Sequence, residues 1–261
     1  MPWTAPDPNA LQFLARTAQA YARLLAHPEA DRALGLGGKL FAAGALDEPG
    51  RALVVAANIA GAATLTATAF PTAQKQAVRD GVVDFLVASL DEALRILKNQ
   101  LRKRETAAVC VAAEPAAIAR ESGERGLLPD LWRDAVFPVS APDSLFFHAG
   151  AERQAQPTAG IFAVWRTAAA RQKDRALLDA IALGCLDAQD WAARRWVQLA
   201  PRYLGRLAQG LRLLAADRAF VDSFAAQLRE RAARRELAFA CELRICADGR
   251  EEIHRFDDGI F

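Results

Sequence analysis

The chain has 261 residues, of which 52% are hydrophobic and 25% charged, the composition of a folded globular protein and not of a disordered one. Its formal net charge of +2 gives no reason to expect a polyanionic partner for the chain as a whole. No apolar run has the length of a membrane span, and the start MPWTAPDPNA lacks the basic segment and apolar core of a signal peptide.

The cysteines, Cys110, Cys185, Cys241 and Cys246, have no CxxC spacing, so buried free thiols in a reducing cytoplasm are expected. In chain order, Pro2, Pro6 and Pro8 mark a loose arm. Leu11, Leu14, Ala18, Tyr21 and Leu25 recur at helical spacing and predict an amphipathic helix over residues 9–26. Residues 34–50 are glycine-rich and read as a connector. Residues 51–57 (RALVVAA) form a continuous apolar run and read as the first buried strand. Small residues dominate 58–70, where a turn and a helix start are expected. Pro71 ends that stretch, and residues 72–79 suit a short helix.

Residues 82–87 (VVDFLV) read as a strand buried on both faces. Ser89 with Glu92 makes a capping box, and Leu90, Leu94, Leu97 and Leu101 place an apolar stripe on the helix that follows. Residues 107–113 (AAVCVAA) read as another buried strand. Pro115 suits the first turn of a helix, Gly126 ends it, and residues 127–131 can start a further strand. This strand–helix alternation predicts an α/β fold with a parallel sheet and right-handed crossovers.

Beyond it, residues 138–156 are rich in Pro, Ser, Asp and Gly and read as a long loop, with an embedded strand at 144–148. Residues 160–167 (GIFAVWRT) suit a strand. Helices are expected over 173–186, 190–199, 201–216 and 219–235. Asp248-Gly249, flanked by 237–246 and 251–256, predicts a β-hairpin.

The segment 89–130 begins SLDEAL, continues through an apolar strand after a basic turn, and ends ERGLLPD. In these features it resembles the inner Rossmann-like segment of the urocanase (urocanate hydratase) family. The resemblance covers about residues 51–131, and with the element pattern on either side the chain reads as three parts: an N-terminal arm and helix (1–27), a urocanase-like Rossmann-like domain (28–168), and a helical extension with a terminal hairpin (169–261). It also implies a relation to NAD-dependent lyase chemistry. Glycines that let backbone N–H groups approach a pyrophosphate carry that cofactor in such folds. The family's loop after strand one is glycine-rich, roughly GGMGGAQ. The resemblance places the corresponding loop at 57–63, where Gly61 remains of the glycine run and Ala62 matches the family alanine.

Asn58, Gly61, Ala62 and Ser89 are therefore the candidate cofactor contacts, and His148 on the long loop is a candidate pocket residue. An ordinary strand-to-helix turn packed by alanines is the competing reading of residues 57–63. The family's catalytic cysteine region has no counterpart here, so no catalytic residue carries over. His27, His148 and His254 lack metal-ligand spacing, and no GxSxG, P-loop or HExxH occurs. Arginines interleave with Trp191, Trp196 and Tyr203, a pattern that can serve nucleic acid, although core aromatics with a solvated basic face are the plainer reading. Two function classes lead. One is a urocanase-like domain without hydratase activity of its own that binds a protein partner or small polar ligand. The other is a small NAD-dependent hydratase or lyase. Nucleic-acid binding by the arginine-rich half is a weaker third, and homo-oligomerisation stays open.

Overall fold

The computed structural model describes residues 3, 5–136, 161–168, 171–247 and 249–256. The chain divides into two compact units, Arg16–Asp143 with Arg202–Leu207, and Met1–Ala15 with Ser144–Pro201 and Ala208–Phe261. Helix α1 (Pro8–Leu25) comes first, with Leu11, Leu14, Ala18 and Tyr21 buried as its spacing predicts.

The first unit alternates β1 (Leu40–Ala45), α2 (Glu48–Ala60), β2 (Ala63–Ala67), α3 (Pro71–Arg79), β3 (Phe85–Val87), α4 (Leu90–Lys103), β4 (Ala107–Val111), α5 (Pro115–Glu124), β5 (Leu131–Trp132) and α6 (Arg133–Val136). The strands form one sheet in the order β3-β4-β2-β1-β5, and every pairing is parallel. Alternation along the strands directs Leu40, Leu65, Ala67, Val109 and Val111 to one face, against Leu90, Ala93 and Leu97 of α4 and Ile118 of α5. Helix α2 packs on β1, β2 and β4 from the other side. This division follows from right-handed crossovers. The chain steps one way across the sheet through α2 and α3, then back through α4 and α5.

Several sequence expectations hold here. The 107–113 run is a strand whose five core residues are all buried, and Val111 is fully so. Helix α4 starts at the Ser89 cap, with Ser89 Oγ accepting from Glu92 N at 3.3 Å and Glu92 Oε2 accepting from Ala88 N at 2.9 Å.

Others are corrected. Residues 51–57 are not a strand but the middle of α2. Asp47 caps that helix by accepting from Gly50 N at 2.7 Å, and Pro49 sits in its first turn. The helix is buried from Ala52 to Ala60, so it shows no polar stripe by which its period could be read. The first strand lies instead in the presumed connector, at LFAAGA, and the small residues ATLTA form β2. The 82–87 strand shortens to Phe85–Val87. It lies at the sheet edge with Phe85 and Leu86 exposed, not buried on both faces.

The second unit holds β6 (Ile161–Thr167), α7 (Gln172–Cys185), α8 (Trp191–Leu204), β7 (Arg212–Ala216), α9 (Arg218–Ala233), β8 (Cys241–Ala247) and β9 (Arg250–Phe256). Its four strands make an antiparallel sheet in the order β7-β6-β8-β9. The predicted hairpin is therefore part of a larger sheet. Strand β6, expected beside the parallel strands, pairs with β7 and β8. The helix expected over 201–216 stops early. A 3₁₀ turn at Gly205–Ala208, with Gly205 and Gly210 at positive φ, breaks it, and RLLAA continues as strand β7. Trp165 anchors this core edge-on to Phe224 and donates its indole N–H to Asp179 at 3.0 Å. The loop expected at 138–156, its strand at 144–148 and His148 lie outside the described residues.

Candidate functional site

In open parallel α/β sheets, ligands bind beyond the C-terminal ends of the strands, where neighbouring strands lead to helices on opposite faces. In this sheet that point falls between β2 and β4. Strand β2 leads to α3 on one face and β4 leads to α5 on the other. The two strands stay in register to the end, with Ala67 paired to Val111, and Thr68 N donates to Val111 O at 3.2 Å. The starts of α3 and α5 therefore flank one crevice.

The helix starts along this edge differ in kind. Helix α2 is closed by the Asp47 carboxylate, with Glu48 in its first turn. Arg133 secures this closure, donating to Ala45 O at 3.1 Å and to Asp47 Oδ2 at 2.9 Å. Helix α4 is closed by Ser89 and Glu92. Helices α3 and α5 have no side-chain cap, carry Pro in the first turn, and have no acid there. Their leading N–H groups are thus the ones left to meet a ligand's acceptor or water. Phe70, the residue before α3, is 68% exposed, a high value for an aromatic ring. Thr68 shapes the turn beneath it. Its hydroxyl accepts from Phe70 N at 3.3 Å and its carbonyl accepts from Gln74 Nε2 at 2.8 Å. Glu114, exposed before α5, opposes a fully anionic ligand on that side.

The residues singled out from sequence do not assemble into one site. Asn58, in the last turn of α2, and Gly61 and Ala62, between α2 and the start of β2, lie at the edge opposite the crevice. Asn58 is buried and accepts from the Thr106 hydroxyl at 3.3 Å; the same hydroxyl lies 2.6 Å from Ala62 O. Gly61, at φ 99, ends α2 in the left-handed conformation, with its N–H directed to Ala57 O and Asn58 O. Ser89 does stand at the C-terminal edge, beyond β3, where its hydroxyl is used as a cap. Asp130 of the ERGLLPD ending also serves the opposite edge, accepting from Leu40 N at 2.8 Å at the start of β1.

The turn that truly follows the first strand is Leu46-Asp47, and it leads into the first turn of α2 at Gly50. A Cβ on Gly50 would lie 2.0 Å from Ala45 O, so glycine lets α2 start directly against the strand end. A dinucleotide pyrophosphate would need the N–H groups that follow. Gly50 N is already bonded to Asp47, and Asp47 and Glu48 place two carboxylates where the phosphates would lie. The residues at this helix start do not fit a pyrophosphate. Sequence reasoning missed this turn because it took β1 for a connector. The signal was present in Asp47-Glu48-Pro49, an N-cap followed by an acid and a proline.

Among the described residues no metal centre accompanies the crevice, and the Cys110 thiol is buried. Burial pushes the Cys110 thiol up to about 11, which leaves it protonated and unreactive at neutral pH. Among the described residues no cluster of His, Cys, Asp and Glu could hold a metal ion. His254 bonds Glu252 at 2.8 Å, and His27 Nδ1 accepts from Glu29 N at 3.3 Å. No helix among the described residues is long and apolar enough to cross a membrane.

An all-parallel α/β sheet with helices on both faces and a switch point between β2 and β4 defines a Rossmann-like unit. Residues 20–142 match the model of the urocanase Rossmann-like domain. This stretch is thus similar to the Rossmann-like domain of the urocanase family, and the chain also holds an antiparallel four-stranded sheet with helices.

Proposed function

We propose that this chain is a urocanase-related binding protein that does not hydrate urocanate on its own. Its Rossmann-like unit takes a small polar ligand, or a partner's loop, at the crevice between β2 and β4. The observation that carries this reading is the distribution of helix caps. The α2 start, where a dinucleotide's pyrophosphate would rest, is filled by Asp47, whereas the starts of α3 and α5 are not capped by side chains. Ligand acceptors would meet the N–H groups of these two helices, and an apolar part would cover Phe70. Ser89, at the neighbouring strand end, borders the same edge.

The test is to denature the purified protein and identify released molecules by mass spectrometry, alongside the ultraviolet absorbance of added urocanate. The expected result is no retained dinucleotide and no loss of urocanate. Stoichiometric NAD together with steady urocanate consumption would replace this reading with that of a small NAD-dependent hydratase.

A further inference from the structure

Among the described residues, strand β9 ends the antiparallel sheet of the second unit and pairs on one side only, with β8. Exposed edges of this kind are normally blunted by charged side chains, proline or a bulge. Strand β9, REEIHRF, has neither proline nor bulge, its register with β8 being unbroken over seven residue pairs, Arg250 to Phe256, and its charges are of both signs, so they disfavour indiscriminate pairing while leaving a matched partner possible. Ala168 N donates to Ala240 O, so Glu242, Arg244 and Cys246 bond to β6, and Ala247 with its partner Arg250 forms a hydrogen-bonded pair between β8 and β9. Alternation from there turns the N–H and C=O groups of Arg250, Glu252, His254 and Phe256 toward β8. Those of Glu251, Ile253 and Arg255 point to the open edge, and among the described residues no backbone group bonds them.

The charges along this edge are symmetric about Ile253. An antiparallel copy centred there sets Glu251 opposite the second copy's Arg255 and Glu252 opposite its His254. The backbone parity agrees, because Glu251, Ile253 and Arg255 are the residues with free backbone groups. Other centres fail on charge: an axis through Glu251, Glu252, His254 or Arg255 sets that ionisable residue against itself. Ile253, 41% exposed, would lie on the axis and be covered. Each charged group already has a partner within the chain. Glu251 holds Arg244 at 2.8 Å, and Arg255 Nε holds Glu242 at 3.0 Å. The Arg255 guanidinium, whose side chain is 48% exposed, keeps further donors for a second carboxylate.

We propose that β9 is a self-recognition edge. Two copies of this chain pair their β9 strands antiparallel about a two-fold axis through Ile253, joining their antiparallel sheets into one continuous sheet. This goes beyond the proposed ligand crevice and uses none of its residues.

Light scattering on the full chain after size exclusion tests it, and the expected mass is that of a dimer. Ile253→Arg puts two cations on the axis. Ile253→Pro removes an N–H that faces away from β8, a position where an edge strand tolerates proline. Both variants should be monomers with wild-type circular dichroism. Ile253→Cys supplies a milder readout that does not depend on either variant folding. Paired residues on the axis lie about 5.5 Å apart at Cα, within disulfide reach, so air oxidation should yield a 253–253 cross-linked peptide. A monomeric wild-type protein, a dimer that survives Ile253→Arg, or the absence of that cross-link would each overturn the proposal.

Discussion

Alanine at Gly50 should destabilise the Rossmann-like unit, although alanine is the better helix former. Propensity alone favours the change by about 1 kcal/mol. Against this, the new Cβ would sit 2.0 Å from the Ala45 carbonyl oxygen and 2.8 Å from Asp47 Oδ1. The first neighbour is backbone at the end of β1 and cannot swing away as a side chain could. Forcing it aside costs about 1–3 kcal/mol, the usual range for overpacking. Displacing Asp47 from Gly50 N loses a cap of about 1 kcal/mol. The balance is a loss of roughly 1–3 kcal/mol, which lowers the melting temperature by about 2–12 °C in a protein of this size. Urea denaturation followed by far-ultraviolet circular dichroism measures it. Gly123→Ala is the control, since Gly123 lies in α5 with nothing within 4 Å of its would-be Cβ. That change should stabilise by a few tenths of a kcal/mol up to about 1 kcal/mol. A Gly50→Ala protein as stable as wild type would refute the close contact between β1 and α2, and with it the account of the closed α2 start.

Glu242→Gln should cost about 3–5 kcal/mol, because its fully buried carboxylate is bonded to Arg166, Arg244 and Arg255 and their charges would be left uncompensated. Burial by itself would raise the Glu242 carboxyl, but hydrogen bonds from Arg244 and Arg255, with the Arg166 charge, hold it below its ordinary value. The unfolded chain then binds more protons, so this contribution is complete above the ordinary glutamate range and is lost as pH falls through the lowered folded value. Melting temperatures taken from neutral to acidic pH should fall less in Glu242→Gln than in wild type. Cys110, with its thiol pushed up to about 11, should resist iodoacetamide at pH 8 while the protein is folded and react once urea unfolds it. Peptide mapping by mass spectrometry reads this, and labelling of Cys110 in the native protein would contradict its burial.

Local chemistry was legible in this sequence wherever a residue's role depends on near neighbours. The Ser89–Glu92 box marked the start of α4, Pro115 and Gly126 bounded α5, and Asp248-Gly249 marked the hairpin, because caps and turns are decided within a few residues. The SLDEAL and ERGLLPD motifs were enough to point to the urocanase Rossmann-like domain that the family match places at residues 20–142. Periodicity failed where burial erased it. Helix α2 is enclosed over nearly its whole length and reads as a continuous apolar run, the same signature as a central strand. Strand β1, LFAAGA, hid behind its glycine, and β2 behind its threonines and alanines. That misreading moved the expected ligand loop from residues 46–50 to 57–63, and so to the wrong edge of the sheet. The strand order β3-β4-β2-β1-β5, which alone decides where neighbouring strands diverge, exists only in the folded chain. The sequence therefore determined the family resemblance of residues 20–142 and several element boundaries. Tertiary packing decided which end of the sheet each candidate residue occupies, because that depends on pairing between strands far apart in sequence and not on the pattern within any one of them.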